Sequence, residues 1–330
     1  MPEPQVTTID VHDDEQLAAW HAVESAALAE RPFALQRSAA ALAASVRVPS
    51  RYRRVHLLTA RVAGEMVGVA DLRMGTRDNL HLAGLEINVH PDHRRQGVGT
   101  ALWEAADALR LAEGRTTVAG EAHGPLGPAG PGAAVTFARS LGFTSVHTEE
   151  HLAVRLPVDP ITADLLTRDV PGYEVLTWTG RCPDEHRAAY LTMRNQMNAD
   201  VPTGELAVIP VVLDEERLAD SEERLARSYV TIVAAALRVA DGAMGGYSVV
   251  FLDRSDDAAL QDDTLVMPEH RGLGLGMQLK QATRAVVEAE HPGRRVLHTW
   301  TAPGNAAMYR TNIAFGYAPV ELMHEMQRVD

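Results

Sequence analysis

The sequence predicts an α/β protein built twice, with two tandem domains that each flank a central mixed sheet with helices. Three observations carry this prediction. A chain of 330 residues suits two domains, strand-like and helix-like stretches alternate in both halves, and one motif recurs at a fixed displacement. Residues 89–99 (VHPDHRRQGVG) match residues 266–276 (VMPEHRGLGLG), each position displaced by 177. Around this block, Gly64, Met66 and Gly68 recur as Gly242, Met244 and Gly246 at a displacement of 178, and Gly142-Phe143 recurs as Gly316-Tyr317 at 174. Three ordered blocks with such small slips define an internal duplication, and each copy has ordinary domain length. The expected division is 1–155, a linker over 156–171, and 172–330.

In the first copy, residues 6–9 read as a strand, and Asp13-Asp14-Glu15 opens a helix containing Trp20. An alanine-rich helix covers 38–46. Residues 55–62 and 66–74 alternate as two strands around a Gly64-Glu65 turn. Residues 82–89 form a fourth strand, and Leu102, Ala105, Ala106 and Leu109 mark a helix over 100–112. A short strand over 116–119 leads into a Gly- and Pro-crowded loop over 120–132, and a closing strand carries His147 and His151. Pro157, Pro160 and Pro171 mark the linker. The second copy repeats the plan. Strands are expected at 173–178, 231–239, 245–252 and 261–267, and helices at 183–197 and 214–228, the latter with a solvated Arg/Glu face. A polar loop covers 198–204.

Both copies of the motif run from a buried strand end through a proline and a basic, glycine-rich turn into a helix. The first turn of a helix has N–H groups without intrahelical partners and carries partial positive charge, so it attracts anions. Gly274 and Gly276 lack a Cβ, which lets an anion approach the backbone. Arg271 adds a permanent forked charge. A phosphate is the expected ligand of each loop. A dinucleotide-binding unit is disfavoured, since 97–102 and 274–279 both lack the third glycine of G-x-G-x-x-G.

Composition sets the bounds. With 46% hydrophobic and 23% charged residues the chain is globular rather than disordered. Cys182 is the one cysteine, which excludes an internal disulfide and a thiolate metal cluster. His147 to His151 has the wrong order for a zinc-protease helix, so no metal is expected. The net charge of −13 disfavours nucleic acid and mildly favours cationic small molecules. The N-terminal 15 residues lack the apolar core of a signal peptide, and 230–237 is far too short to span a membrane. A cytoplasmic protein without a membrane partner is expected, a monomer that is a pseudo-dimer of domains, or a homodimer.

Arg94-x-x-Gly97-x-Gly99 and Arg271-x-x-Gly274-x-Gly276, each after a Val-x-Pro strand end, resemble the acetyl-CoA pyrophosphate loop of the GCN5-related N-acetyltransferases. Gly142-Phe143 and Gly316-Tyr317 resemble that family's late helix-to-strand corner. The layout is similar to that of tandem members such as actinobacterial mycothiol synthases. The resemblance implies acetyl-CoA as co-substrate and no metal. It places the cofactor against Val89, Arg94, Arg95, Gln96, Gly97, Val98 and Gly99 in the first copy. In the second, it places it against Val266, Met267, Arg271, Gly272, Leu273, Gly274, Leu275 and Gly276.

Asn305 stands at the family asparagine that binds the pantetheine arm, whereas the first copy has Pro131 there. Asn312 and Ala138 stand where the family's tyrosine general acid is expected. Asparagine cannot supply a proton but can polarise the sulfur by hydrogen bonding. Tyr309 lies one turn from Asn312 and is a further candidate for the acid.

Amide formation from an ammonium needs a proton acceptor, and the tetrahedral oxyanion needs a donor. The family places a base on the fourth strand, and the displacement of 177 pairs Glu86 with Asp263 there. Asp262 and Asp263 are expected on opposite faces of that strand. The second copy is the expected catalyst, acting on the primary amine of a small metabolite or antibiotic, and the first binds CoA with little or no turnover. Two alternatives stay open, a non-catalytic acetyl-CoA-binding protein and an enzyme active only in its first copy.

Overall fold

The computed structural model describes residues 2–48, 50–128, 130–159, 169–201 and 203–330. Pro160, expected in the linker, lies outside the described residues together with 161–168. The chain forms two compact units, 1–148 with 203–209 and 322–330, and 149–202 with 210–321. These do not coincide with a division at 155 and 172. Each unit takes its last strand from the opposite half of the sequence, a step that local patterning does not encode.

In the first unit, β1 (Gln5–Thr8), β2 (Arg53–Val62), β3 (Glu65–Gly75) and β4 (Leu82–Val89) are antiparallel neighbours. β5 (Thr117–Gly124) runs parallel to β4, and residues 322–329 of the last strand close the sheet antiparallel to β5. The expected short strand at 116–119 therefore extends to Gly124. The last strand supplies a hydrogen-bonding partner along its whole length, which overrides the turn preference of the glycines there.

Helices cover both faces of this sheet. α1 (Asp14–Leu28) is capped by Asp13, and α2 (Ala39–Arg47) by Ser38. Trp20, Val23, Leu42, Leu57 and Val69 pack beneath them, and the Trp20 indole donates to Leu58 O at 3.0 Å. α3 (Val98–Ala112) places Val98, Leu102 and Ala106 against Val67, Ala70 and Leu72 on the other face. Gly68 is needed beneath it, because a Cβ there would lie 2.5 Å from Val98 Cγ1. α4 (Gly132–Ser140) begins at Pro131.

The second unit has the same strand order. Continuing in chain order, β6 (Thr144–Arg155), β7 (Tyr173–Thr179), β8 (Tyr229–Arg238), β9 (Met244–Asp253), β10 (Ala259–Val266) and β11 (Val296–Thr301) contribute to it. β7, β8, β9 and β10 are antiparallel neighbours, β11 is parallel to β10, and residues 150–155 of β6 close the sheet against β11. α5 (Arg187–Asp200) and α6 (Glu215–Ser228) cover one face, over Tyr190, Met193, Leu218, Val233, Tyr247 and Leu265. α7 (Leu275–Glu290) and α8 (Ala306–Phe315) cover the other, over Leu152, Val250, Leu252, Leu297 and Phe315. The final strand, β12, spans Ala318–Val329.

The described ends of the expected linker are packed, not solvated. Leu156, Val158 and Val170 are buried, and Val170 joins Ala234, Ala236, Leu275 and Leu279 in a core cluster. A β-bulge lies in β3 at Val67, opposite Ala60 and Arg61, and in β9 at Gly245, opposite Ala236 and Leu237, so the duplication is visible in backbone irregularity as well as in sequence.

Candidate active site

In each unit the strand before the glycine turn loses its parallel neighbour. β4 and β5 are in register only over 82–84 against 117–119, and β10 meets β11 only at Leu260↔His298. Beyond these pairs neither β4 nor β10 has a strand partner on that side among the described residues. An extended ligand carrying amides could hydrogen-bond there.

The turns that follow are built alike. Gly97 has φ +82° and Gly274 φ +93°, a left-handed conformation that disfavours any residue with a Cβ. Space is open at both: nothing lies within 4 Å of a Cβ built on Gly97, and only Val170 Cγ2, at 4.0 Å, approaches one on Gly274. Arg95, at φ +62°, adopts the backbone that Gly272 takes at +81°. Gln96 donates to Asp92 O at 3.0 Å, and Leu273 is exposed.

Helices α1, α2, α6 and α8 are each capped by a side chain, from Asp13, Ser38, Asp214 and Asn305. α3 and α7 have no side-chain cap and no acid in the first turn. The first intrahelical bonds arrive at Ala101 in α3 and at Met277 in α7. The N–H groups of Val98, Gly99, Leu275 and Gly276 precede them, and an anion is the natural partner for such groups. The cradle thus fits the diphosphate of a nucleotide cofactor in both units.

The arginines of the motif make contacts within the protein that the motif does not reveal. Arg94 Nε donates to Val89 O at 3.2 Å while its guanidinium pairs with Glu30 at 2.5 Å. Arg271 repeats this with Val266 O at 3.0 Å and Asp200 at 2.5 Å. Both side chains brace the turn against its own strand. Each guanidinium is thus paired with an acid of its own unit.

The fourth strands differ between the units. β4 pairs with β3 without a register shift, Asp71 opposite Glu86 and Gly68 opposite Val89. Glu86 is ion-paired with Arg73 at 3.1 Å, and Arg73 also holds the buried Asp71 at 2.5 Å. Arg37 reaches Asp71 at 3.1 Å and Glu24 at 3.8 Å. Burial raises the Glu24 carboxyl, and the Arg37 charge opposes that rise. The face beside Glu86 is occupied by a network of the protein's own charges.

β10 instead carries a bulge between Gln261 and Thr264, at Asp262-Asp263. Strict alternation, the basis for placing the two acids on opposite faces, is interrupted there. The Tyr247 hydroxyl donates to Asp263 Oδ2 at 2.8 Å, and Arg194 Nε lies 3.6 Å from the same oxygen. Arg194 sits over the Tyr190 and Tyr247 rings, 5.9 Å from each centroid. Crowding by the surrounding protein, then the charge of Asp263, raises the Asp262 carboxyl above the ordinary range. The side chain of Asp262 is nevertheless exposed, and contact with water keeps that rise smaller than full burial would produce. Tyr247 and Arg194 escaped sequence reasoning because neither belongs to a motif, and only the pairing of β9 with β10 and the packing of α5 bring them to Asp263.

Asn305 caps α8, its Oδ1 accepting from Met308 N–H at 3.2 Å. Asn312 is fully buried; its Nδ2 donates to Thr301 Oγ1 at 2.7 Å and its Oδ1 has no partner among the described residues. Tyr309 packs against the α7–α8 core, and its hydroxyl is raised by burial and by Glu150. His151 is bonded to Glu321 and His298, and no group of three or more His, Cys, Asp or Glu able to hold a metal occurs among the described residues. No helix among the described residues is long and apolar enough to cross a membrane.

Comparison with known proteins agrees with this geometry. Residues 53–145 match the family model of the acetyltransferase (GNAT) domain. The chain is 28% identical over 284 residues to mycothiol acetyltransferase of Sanguibacter keddieii, covering 83% of this chain and 81% of that one. A solved tandem GNAT protein from the clavulanic acid biosynthesis pathway superposes with a TM-score of 0.84 at 26% identity, over 99% of this chain and 98% of that one. A GCN5-related N-acetyltransferase from Sphaerobacter thermophilus shares the fold, with a TM-score of 0.72 at 12% identity over 99% and 95% of the two chains. Fold, cradle and relatives together define an acyltransferase of the class that uses acetyl-CoA as co-substrate. Residues 53–145 match the GNAT acetyltransferase domain, and the chain as a whole is similar to a tandem GNAT protein and to a mycothiol acetyltransferase.

Proposed function

We propose that the second repeat, within 172–330, transfers acetyl from acetyl-CoA to the primary amine of a small metabolite or antibiotic, by direct attack in a ternary complex. The first repeat, within 1–155, binds CoA with little or no turnover. The observation that carries this reading is the contrast between the fourth strands. β10 bulges at two carboxylates, whereas β4 runs straight and its Glu86 is held by Arg73. A carboxylate at the bulge, Asp263 with Asp262 beside it, takes the proton that an ammonium must lose before it can attack. The open backbone edge of β10 holds the pantetheine arm, and the Asn305 amide assists it. Asn312 holds the end of β11 through Thr301, so protonation of the departing thiolate falls to water or to the acid formed at the bulge. The names of the relatives place them in small-molecule chemistry, which supports a small acceptor.

The test is CoA release across a panel of amines, with Gly274→Val and Gly97→Val compared. Release should be lost with the first substitution and retained with the second. The opposite pattern would move catalysis to the first repeat. Acetyl-CoA binding measured by calorimetry without release for any amine would favour a non-catalytic CoA-binding protein.

A further inference from the structure

The second unit contains a chain of hydrogen-bonded groups that the reading above leaves unused. His151, on β6, is fully buried. Its Nδ1 lies 2.8 Å from Glu321 Oε1, and its Nε2 lies 2.9 Å from His298 Nδ1. The Trp300 ring stacks on it, with centroids 4.2 Å apart. Proton positions follow from these contacts. An ionised carboxylate only accepts, so His151 carries its proton on Nδ1 and presents a lone pair at Nε2. His298 must donate to that lone pair from Nδ1, which leaves its own Nε2 as a bare acceptor. Nε2 has no partner among the described residues and is not one of the sealed polar atoms.

Position gives this acceptor a use. His298 pairs with Leu260 on β10, two residues ahead of Asp262. Its neighbour Leu297 points into the core beneath α7 and α8, so alternation turns His298 to the opposite face. Tyr247, which holds Asp263, lies on that face. Burial pushes the His298 imidazole down to about 4, so it stays neutral near pH 7. Glu321 opposes this shift, and His151 and Glu321 are the titratable groups that act on it among the described residues.

We propose that His298 is a second proton acceptor on the acceptor-binding face, with His151 and Glu321 as positioning residues that fix its tautomer. The proposal rests on acetyl transfer to an amine. An ammonium that becomes an amide loses two protons from nitrogen. A carboxylate at the bulge takes the first, the freed lone pair forms the C–N bond, and the C–S bond breaks. The second proton passes from nitrogen to His298 Nε2, directly or through a water. One of the two ends on the CoA sulfur and the other in solvent, so atoms and charge balance.

Two measurements test this on the full chain. Long-range nitrogen–proton NMR of the 15N-labelled protein at pH 7, assigned with His298→Gln, should show protons on Nδ1 of both rings and none on His298 Nε2. A proton on His298 Nε2 would overturn the proposal whatever the activity. In CoA release with the best amine of the panel, His298→Gln should lower kcat by roughly 100-fold, the lower end of what a general base supplies, with KM for acetyl-CoA unchanged. Glu321→Gln should lower kcat and randomise the tautomer seen by NMR. If the wild type turns over and His298→Gln matches its kcat and pH profile, this proposal fails alone; if the wild type releases no CoA with any amine, the acetyl-transfer reading fails and takes this one with it.

Discussion

Glu86 and Asp263 hold the same place in the two repeats, yet Glu86 faces an arginine at 3.1 Å and Asp263 a tyrosine hydroxyl at 2.8 Å. Arg73 is within hydrogen-bond distance of Glu86, whereas the guanidinium nearest Asp263, that of Arg194, stands off at 3.6 Å. The strand bulge beside Asp263 has no counterpart at Glu86. Asp263→Asn should lower amine-dependent CoA release by about 10²- to 10³-fold, within the range a general base supplies. Glu86→Gln should leave it within about twofold, and calorimetric acetyl-CoA affinity should be unchanged in both.

Asn305 serves two purposes that substitution can separate. Its Oδ1 caps α8, and among the described residues nothing accepts from its Nδ2. Asn305→Asp keeps a capping oxygen and loses the donor, so thermal stability should be retained while acetyl-CoA binds more weakly. Asn305→Ala loses both, with a further stability loss of about 1 kcal/mol in chemical denaturation.

The cradles were legible in the sequence because everything they require is local. A left-handed glycine, an uncapped helix start and a strand end lie within 11 residues, and the repeat displays them twice. The surroundings of Asp263 were not legible. Tyr247 reaches it through antiparallel pairing, Arg194 through helix packing, and the bulge that re-aims it arises from one extra residue in β10. The acids paired with Arg94 and Arg271 were not legible for a related reason, since a motif shows the charge and not Glu30 or Asp200 across the loop.

The network around Asp71 should matter for folding more than for chemistry. Its carboxylate is 1% exposed and is held by both Arg37 and Arg73. Asp71→Ala leaves two guanidinium groups facing each other with partial access to water. A loss near the lower end of the roughly 3–5 kcal/mol seen for broken buried pairs is expected, measurable as a lower denaturation midpoint.

Lys280, the only lysine in the chain, is buried in α7 with its Nζ 5.5 Å from the Tyr317 ring centroid. Burial pushes its ammonium down to about 7. The unfolded chain therefore binds more protons than the folded one between about pH 7 and the ordinary lysine value, 10.5. Stability should rise with pH across that window. Lys280→Met removes the penalty, so its stabilising effect should be greatest below pH 7 and fade as pH approaches 10.5, as denaturant titrations at several pH values would show.

Residues 322–329 finish the first sheet and residues 150–155 finish the second. A gene cut between the repeats would encode two fragments, each with a raw β edge along β5 or β11 where its missing strand belongs. Such edges invite aggregation. Duplication has here produced a pair of modules that are inseparable at the level of the message, and any attempt to assign activity by expressing one repeat must carry the borrowed strand along with it.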